Sequence, residues 1–190
     1  MEQEYRDRIR DYLDYLYYDI NKQQDYQLQS QGIFISKRKD YFNLRYNSSE
    51  FFLNWWLSKL NNRTILSNEI CLDYDPPEKW NKVDIFRNVK HLISRLEKIK
   101  NRFDDITIWS TGSKGIHVHM FDTKMYKLEY CERIKMRLRY FEMLPMFKEF
   151  NDKIQKLYPE RLKISENVTI ALEHARHNKT NKIKTLIYKV

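Results

Sequence analysis

The alternation of strand and helix patterns along the chain predicts an α/β fold of the α+β type. Three runs, "ICLDYD", "DITIWS" and "IHVHMF", are typical of buried strands, and "VDIFRNVKHLISRLEKIKN" repeats apolar residues at helical spacing between the first two. The chain has 190 residues, of which 42% are hydrophobic, so it can bury one sizeable core. The order strand, helix, strand, turn, strand, helix, strand is typical of a compact α/β domain.

The first third of the chain predicts a smaller set of elements. Residues 4–19 place apolar side chains at helical spacing, and Gly32 predicts a turn. "IFISKRKDYFNLRY" predicts two short strands around a charged tip at 37–40. "SSEFFLNWWLSKL" predicts an aromatic-rich helix whose N-cap is Ser48 or Ser49.

The last third predicts a long helix and two closing strands. "KLEYCERIKMRLRYFEMLPMFKEFNDKIQKLY" predicts a helix that breaks or kinks before Pro145. "NVTIALEH" and "IKTLIYKV" predict the last two strands. We therefore expect one domain over 1–190, with an N-terminal helical or α/β lobe at 1–66 and a core at 67–190.

Composition favours an anionic partner and gives no sign of a membrane or secreted protein. The formal net charge is +9, which suits a polyanion such as nucleic acid but is equally compatible with a lysine-rich surface. The cysteines Cys71 and Cys131 form no CxxC pair, so no zinc is expected. The N-terminal "MEQEYRDRIRDYL" is charged throughout, and "FFLNWWLSKL" is too short to cross a bilayer. We expect a reduced, cytoplasmic protein.

The motif "CLDYDPP" places two carboxylates on one side of a strand. Asp73 and Asp75 are two residues apart, so their side chains project in the same direction. Two neighbouring carboxylates repel unless a cation joins them, and hard cations such as Mg²⁺ or Mn²⁺ prefer oxygen ligands. The alternative is a solvated strand end followed by a proline turn.

The stretch "STGSKGIHVHM" holds two of the three glycines of the chain, Gly112 and Gly115. A glycine turn between two strands can expose backbone N–H groups to a phosphate, and Lys114 lies at its tip. His117 and His119 alternate on the next strand and share a face. The alternatives are an ordinary β-hairpin turn and hydrogen-bonded structural histidines.

Taken in order, these motifs resemble the archaeo-eukaryotic primase superfamily. "ICLDYD" is similar to the hDhD motif of its small catalytic subunits, and "TGSKGIH" to their SGGRGxH loop, with Thr111, Lys114 and His117 at the matching positions. "GIFISKRKDYFNLRYNSSEF" is similar to a segment that precedes the first motif, with Arg45 on its arginine, although Gly32 departs from that pattern.

The resemblance continues towards the C-terminus. "ISENVT" and "HNKTN" are similar to the family's "hDxxVT" and "HxKTG", which brings in His177, Lys179 and Thr180. Ser165 stands where the family has its third carboxylate. Glu173, or alternatively Glu166, is expected to supply the missing acid.

The resemblance implies a minimal archaeal, plasmid or viral form of a DNA primase or primase-polymerase. It implies an RRM-like mixed sheet flanked by helices, and template-directed nucleotidyl transfer with Mg²⁺ or Mn²⁺. The implied partners are nucleoside triphosphates, single-stranded DNA template and primer, and replication proteins such as a large primase subunit or a helicase, with no membrane. The implied metal ligands are Asp73 and Asp75, and Glu173, or alternatively Glu166, is expected as the compensating third ligand. The implied nucleotide-binding residues are Arg45, Thr111, Ser113, Lys114, His117, His177 and Lys179, and His119 has no assigned role.

Two other functions remain open. A primase-like subunit without a complete metal site would bind single-stranded nucleic acid and assist a catalytic partner, with Tyr41, Trp55 and Trp109 stacking on bases. A nucleotide-binding α/β protein unrelated to replication is the third possibility. An assay of primer synthesis separates the enzyme from the other two functions. An assay of template binding separates the accessory subunit from a nucleotide-binding protein unrelated to replication.

Overall fold

The computed structural model describes residues 2–16, 27–30, 34–150, 153–166, 168–177 and 179–190. Among these residues, no helix combines the length and apolar character that a membrane crossing requires. The chain divides into two compact units, each built from separate stretches. Unit 1 comprises 1–66, 111–113 and 166–185, and unit 2 comprises 67–110, 114–165 and 186–190.

The chain is α+β, as the sequence predicts, with the following elements. The helices are α1 Glu2–Tyr15, α2 Arg38–Asn47, α3 Glu50–Leu57, α4 Lys82–Glu97 and α5 Tyr130–Met143. The strands are β1 Gln27–Ser30, β2 Phe34–Lys37, β3 Asn62–Thr64, β4 Glu69–Tyr74, β5 Asp105–Ser110, β6 Ile116–Phe121, β7 Met146–Phe150, β8 Lys153–Leu157, β9 Thr169–Ala171 and β10 Thr185–Lys189. Short 3₁₀ helices occupy Lys100–Arg102, Thr123–Lys127 and Arg161–Ile164.

Within its described residues, unit 1 combines a four-stranded sheet with three helices. The strand order is β2-β1-β3-β9, with antiparallel pairing throughout. Ile9 and Leu13 of α1 are fully buried, as is Leu57 of α3. Tyr41 of α2 stacks on Trp56 of α3, with ring centroids 5.8 Å apart. The apolar residues of these helices thus form the core of this unit.

Unit 2 is organised around the sheet β10-β5-β6-β4, in which β6 pairs antiparallel with both β5 and β4. Side chains alternate between the two faces of each strand. One face of the sheet is apolar and packs against α4 and α5, and the residues of this core include Ile70, Leu72, Ile108, Val118, Val89, Leu92, Leu96 and Tyr140. The other face carries polar side chains, and it holds the predicted site.

Local capping explains where two of the predicted helices begin. The Ser49 side chain accepts a hydrogen bond from the Phe52 N–H, which confirms Ser49 as the N-cap of α3. Asn81 caps α4 through a reciprocal pair with Asp84. The Lys148 ammonium, 2.6 Å from Asp84 Oδ2, holds the pKa of Asp84 below its usual value.

Two predicted elements are wrong. The second strand predicted beyond the charged tip 37–40 is the helix α2, because Tyr41 and Leu44 lie three residues apart and turn towards the core on a helix. The predicted break before Pro145 is confirmed, because α5 ends at Met143, but the segment after Pro145 is an antiparallel hairpin of β7 and β8 and not a helix. Asn88 of α4 fixes β7 by donating to the Phe147 carbonyl at 2.7 Å and accepting from its N–H at 2.6 Å. The predicted turn at Gly32 lies outside the described residues.

Candidate active site

The polar face of the unit 2 sheet collects the acids and histidines of the two central motifs. Cys71 of β4 lies opposite His119 of β6, and Asp73 lies opposite His117. All four side chains are buried, and Glu69 at the start of β4 is fully buried beside them. The period of two along each strand and the antiparallel register therefore place residues from two distant segments in one cluster.

Asp73 is the centre of this cluster. Its Oδ1 lies 3.0 Å from His117 Nε2, and its Oδ2 lies 3.7 Å from the Lys163 ammonium. Because a carboxylate only accepts hydrogen bonds, His117 carries a proton on Nε2. Asp75 follows the end of β4 and is exposed. The two predicted metal ligands thus differ in environment, one being nearly enclosed and the other open to solvent.

A second acid, Glu160, lies beside Asp73. The Glu160 backbone N–H donates to the Asp73 carbonyl at 2.6 Å, just before the 3₁₀ helix Arg161–Ile164. The Lys163 ammonium is 3.4 Å from Glu160 Oε2, so one cation lies within ion-pairing distance of both carboxylates. Ser165, the position of the family's third carboxylate, caps the C-terminus of this 3₁₀ helix.

A buried arginine fixes this arrangement. Arg137 of α5 donates to the Glu69 carbonyl at 2.9 Å and to the Ser67 carbonyl at 3.0 Å, both at the start of β4. A longer contact of 3.4 Å joins Arg137 to the Ile164 carbonyl. The guanidinium therefore ties β4 to the 3₁₀ helix that presents Glu160 and Lys163. Sequence reasoning missed these residues, because no local pattern connects them to Asp73.

The second histidine has a carboxylate partner of its own. His119 Nδ1 lies 2.6 Å from Glu69 Oε1, and both side chains are fully buried. The His117 and His119 rings meet edge to face with centroids 5.6 Å apart. The ligand atoms of Cys71, His117 and His119 all lie within 4.8 Å of one another. The sequence pointed to this group through spacing, because Cys71 and Asp73 are two residues apart on one strand, as are His117 and His119 on another.

In unit 1, the glycine turn packs against the "HNKTN" segment. Gly112 has φ of 82°, and a Cβ at this position would lie 2.6 Å from the Lys182 carbonyl oxygen. Only glycine fits there, because both the conformation and the close approach exclude a side chain. The Thr180 hydroxyl donates to the Gly112 carbonyl at 2.9 Å. The structure thus explains why position 112 requires a glycine.

The predicted phosphate-binding residues of unit 1 form one local group. Thr111 and Ser113 hydroxyls lie 3.1 Å apart. His177 Nδ1 accepts from the backbone N–H groups of Lys179 at 3.3 Å and Thr180 at 3.2 Å, which leaves the Nε2 proton on the ring. Ser113 and Lys179 are exposed. In unit 2, the exposed Lys114 reaches the Glu78 carbonyl at 3.4 Å.

Arg45 is engaged by an acid of its own unit. Its Nε lies 3.4 Å from Asp14 Oδ2, and Tyr41 donates to the other oxygen of Asp14 at 2.5 Å. Burial opposes the charge of Arg45, but the Asp14 carboxylate outweighs this and raises the Arg45 pKa above its ordinary value. Arg45 is therefore a permanent cation that already has a partner.

The predicted third metal ligand, Glu173, is held in a structural network of unit 1. Arg63 binds both of its oxygens, with Nε 2.8 Å from Oε2 and Nη2 2.9 Å from Oε1. The Lys184 ammonium lies 3.1 Å from Oε1, and all three side chains are buried. A metal at Glu173 would have to displace two buried cations. Glu166, the alternative acid, is half-buried in the same unit.

The predicted base-stacking residues have different exposures. Tyr41 and Trp109 are 1% and 2% exposed, so the core holds them, whereas Trp55 is 46% exposed. Phe52 stacks on Trp55 with centroids 5.5 Å apart. Unit 2 also has a cavity of about 460 Å³, which is lined by Arg87, Asn88, His91, Arg95, Phe147 and Ile154. Unit 1 thus has an exposed aromatic pair, and the cavity of unit 2 has two arginines in its lining.

Comparison with known proteins gives one structural likeness. No protein-family model matches the chain, and no curated protein matches it. The fold is similar to a solved polymerase domain from Mycobacterium tuberculosis Ligase D in complex with DNA, with a TM-score of 0.44 and 11% identity. The match covers 88% of this chain and 63% of that one. At this level of likeness, the activity has to be argued from the residues of the site.

Proposed function

We propose that the chain is a template-directed nucleotidyltransferase of the primase-polymerase type, which makes DNA primers. The observation that carries the proposal is the pairing of Asp73 with His117 across two strands, at the point where the glycine turn enters β6. The resemblance of both motifs to those of the primase superfamily supports the same function. The net charge of +9 fits a single-stranded DNA template.

The carboxylates of Asp73, Asp75 and Glu160 would suit Mg²⁺ or Mn²⁺, because these hard cations prefer oxygen ligands. The Lys163 ammonium lies 3.7 Å from Asp73 and 3.4 Å from Glu160, so this position already accommodates a positive charge. Asp73 and Asp75 would hold the metal, and we propose Glu160 as the third acid, because Glu173 is ion-paired with two buried basic side chains. When bound, the metal ions would activate the primer 3′-hydroxyl and neutralise the departing pyrophosphate.

The remaining residues would orient the metal ligand and bind the nucleotide. His117 would hold the Asp73 carboxylate in place through its Nε2 proton, and Lys114 would add a charge near the start of β6. Ser113, His177 and Lys179 form a separate group in unit 1 with a phosphate-binding character, because they offer a hydroxyl, a ring N–H and an ammonium. We propose that this group and Arg45 also contact nucleotide or template phosphates.

The test is primer synthesis by the purified full chain. Labelled nucleotides, a single-stranded template and Mg²⁺ or Mn²⁺ are supplied, with Asp73→Asn as the inactive control. Extended product from the wild type, absent from Asp73→Asn, supports the proposal. Equal product from both proteins would assign synthesis to a contaminant or to another site, and absence of product with every metal would reject the enzyme.

A second function has its own supporting observation. The exposed pair Phe52 and Trp55 on α3 forms an aromatic surface on which bases could stack. If the chain binds single-stranded DNA but makes no product, it acts as an accessory subunit, with a large primase subunit or a helicase as its partner. Trp55→Ala would then weaken template binding by about 1–3 kcal/mol.

A further inference from the structure

The most distinctive unassigned feature of the described residues is the group Cys71, His117 and His119. Cys71 and His119 face each other across the β4–β6 pair, and His117 is two residues before His119 on the same strand. Their ligand atoms lie within 4.8 Å of one another, and all three side chains are buried. The backbone register therefore brings together one sulfur and two imidazoles without any contribution from a loop.

Each imidazole has one ring nitrogen within hydrogen-bonding distance of a carboxylate. His119 Nδ1 lies 2.6 Å from Glu69, and His117 Nε2 lies 3.0 Å from Asp73. Because these nitrogens carry the protons of neutral rings, the lone pairs are on Nε2 of His119 and Nδ1 of His117. Metal-binding histidines almost always have such a partner, which fixes the ring and makes the ligating nitrogen more basic.

The donor set discriminates between metals. A thiolate and two imidazoles suit Zn²⁺, whereas Mg²⁺ and Mn²⁺ prefer oxygen. In a tetrahedral site two donors on one zinc lie about 3.4–3.6 Å apart, since Zn–S is about 2.3 Å and Zn–N about 2.1 Å. The ligand atoms of this group lie within 4.8 Å of one another, so side-chain rotations that move them by about 1 Å would close them around the ion.

We propose that Cys71, His117 and His119 bind a Zn²⁺ ion on the polar face of the unit 2 sheet. Three protein ligands leave the fourth tetrahedral position to water or to a ligand of the protein. Glu69 acts as a positioning residue through His119. This site goes beyond the nucleotidyl transfer proposed above, and it replaces the sequence-based expectation that no zinc is bound. That expectation counted cysteine pairs along the chain, whereas these ligands come from two paired strands.

The experiment measures metal binding by the full chain, without nucleotide or template. The chain is stripped with a chelator, and Zn²⁺ is titrated in competition with a chromophoric chelator. The variants are Cys71→Ser and His119→Gln, and Cys131→Ser is the matched control, because Cys131 is exposed on α5 and far from this group in the sequence. Circular dichroism checks that each variant is folded.

We expect one Zn²⁺ per wild-type chain, with unchanged affinity in Cys131→Ser. Loss of a ligand should weaken binding by about 100-fold or more, and Glu69→Gln should weaken it about 10–100-fold. Wild-type protein loaded with Co²⁺ should show a thiolate charge-transfer band, which tests ligation by sulfur without any mutation. The proposal is overturned if the wild type binds no Zn²⁺, if Cys71→Ser binds as the control does, or if the Co²⁺ complex lacks the band. None of these readings depends on primer synthesis, so the two proposals fail separately.

Discussion

Two buried carboxylates, one in each unit, have opposite surroundings. Glu173 contacts Arg63 and Lys184, whose side chains are buried inside unit 1. Asp73 contacts a histidine and a lysine whose ammonium it shares with Glu160. The first carboxylate is ion-paired with two buried cations of the fold, whereas the proposed function requires a metal ion to replace the partners of the second. Burial of an acid is therefore not enough to identify a metal ligand. The criterion is whether a metal ion can replace the groups that the carboxylate already contacts.

The largest effect is expected at Asp73. Asp73→Asn retains the volume of the side chain but removes its charge, so primer synthesis should fall at least about 100-fold. Thermal unfolding should stay close to that of the wild type. Retention of activity in a folded Asp73→Asn protein would show that the metal lies elsewhere.

Glu173→Gln should instead damage stability. Removing the charge takes away the carboxylate that is ion-paired with the buried Arg63 and Lys184, which costs about 3–5 kcal/mol of unfolding free energy. Chemical denaturation measures this loss, and Glu166→Gln, at a half-buried acid of the same unit, is the control with a small effect. A stable Glu173→Gln protein with weakened Mn²⁺ binding would contradict the structural role and would indicate that Glu173 is a metal ligand.

Lys114→Ala tests whether charge around the glycine turn binds the triphosphate. One charge-assisted contact contributes about 1.5–3 kcal/mol, so the nucleotide dissociation constant should rise about tenfold or more. Lys135→Ala, on an exposed turn of α5, removes the same charge and should leave the constant unchanged. Equal losses of nucleotide affinity in both variants would show that net charge, and not a contact from Lys114, is responsible.

Lys163→Met tests whether the shared ammonium and a metal compete for Asp73. Because the lysine cation lies within ion-pairing distance of Asp73 and Glu160, its removal should tighten Mn²⁺ binding several-fold. Ser165→Asp should strengthen binding in the same direction, since it restores the acid of the family motif. Calorimetry measures both, and weaker binding in Ser165→Asp would reject the alignment of that motif.

The smallest effect concerns His174 in unit 1. Burial lowers the His174 pKa, against the opposing influence of Glu173. Below a pH of about 6.5 the unfolded chain binds a proton that the folded chain does not, so stability should fall as the pH decreases towards the folded pKa. The slope from this residue is at most about 1.4 kcal/mol per pH unit. His174→Asn suits the backbone φ of 62° and should remove this contribution.

The sequence predicted the parts of the fold that local patterns determine. The strands β4, β5 and β6, the helix α4 and the glycine turn all follow from periodicity and capping. The helix α2 and the β7–β8 hairpin did not, because tertiary contacts such as that between Asn88 and Phe147 outweigh weak local preferences. Alternation along the strands also indicated that Asp73 shares a face with Asp75 and that His117 shares a face with His119.

Partners that lie far apart in sequence could not be predicted. Arg63 and Glu173 are 110 positions apart, and no pattern in either segment reveals their pairing. Glu160 and Lys163 lie beside Asp73 through a backbone hydrogen bond between Glu160 and Asp73 and through Arg137, which joins their 3₁₀ helix to β4. The third acid of the site was therefore sought at Glu173 on strand register alone.

The most direct test compares Asp73→Asn and Glu173→Gln in one assay. Mn²⁺-dependent primer synthesis is measured per folded molecule, with the folded fraction of each protein determined by circular dichroism at the assay temperature. The account predicts that folded Glu173→Gln protein retains wild-type activity and that Asp73→Asn protein has none. Activity in folded Asp73→Asn protein, together with its loss in folded Glu173→Gln protein, would contradict the assignment of Asp73 to the metal site and of Glu173 to the structure of unit 1.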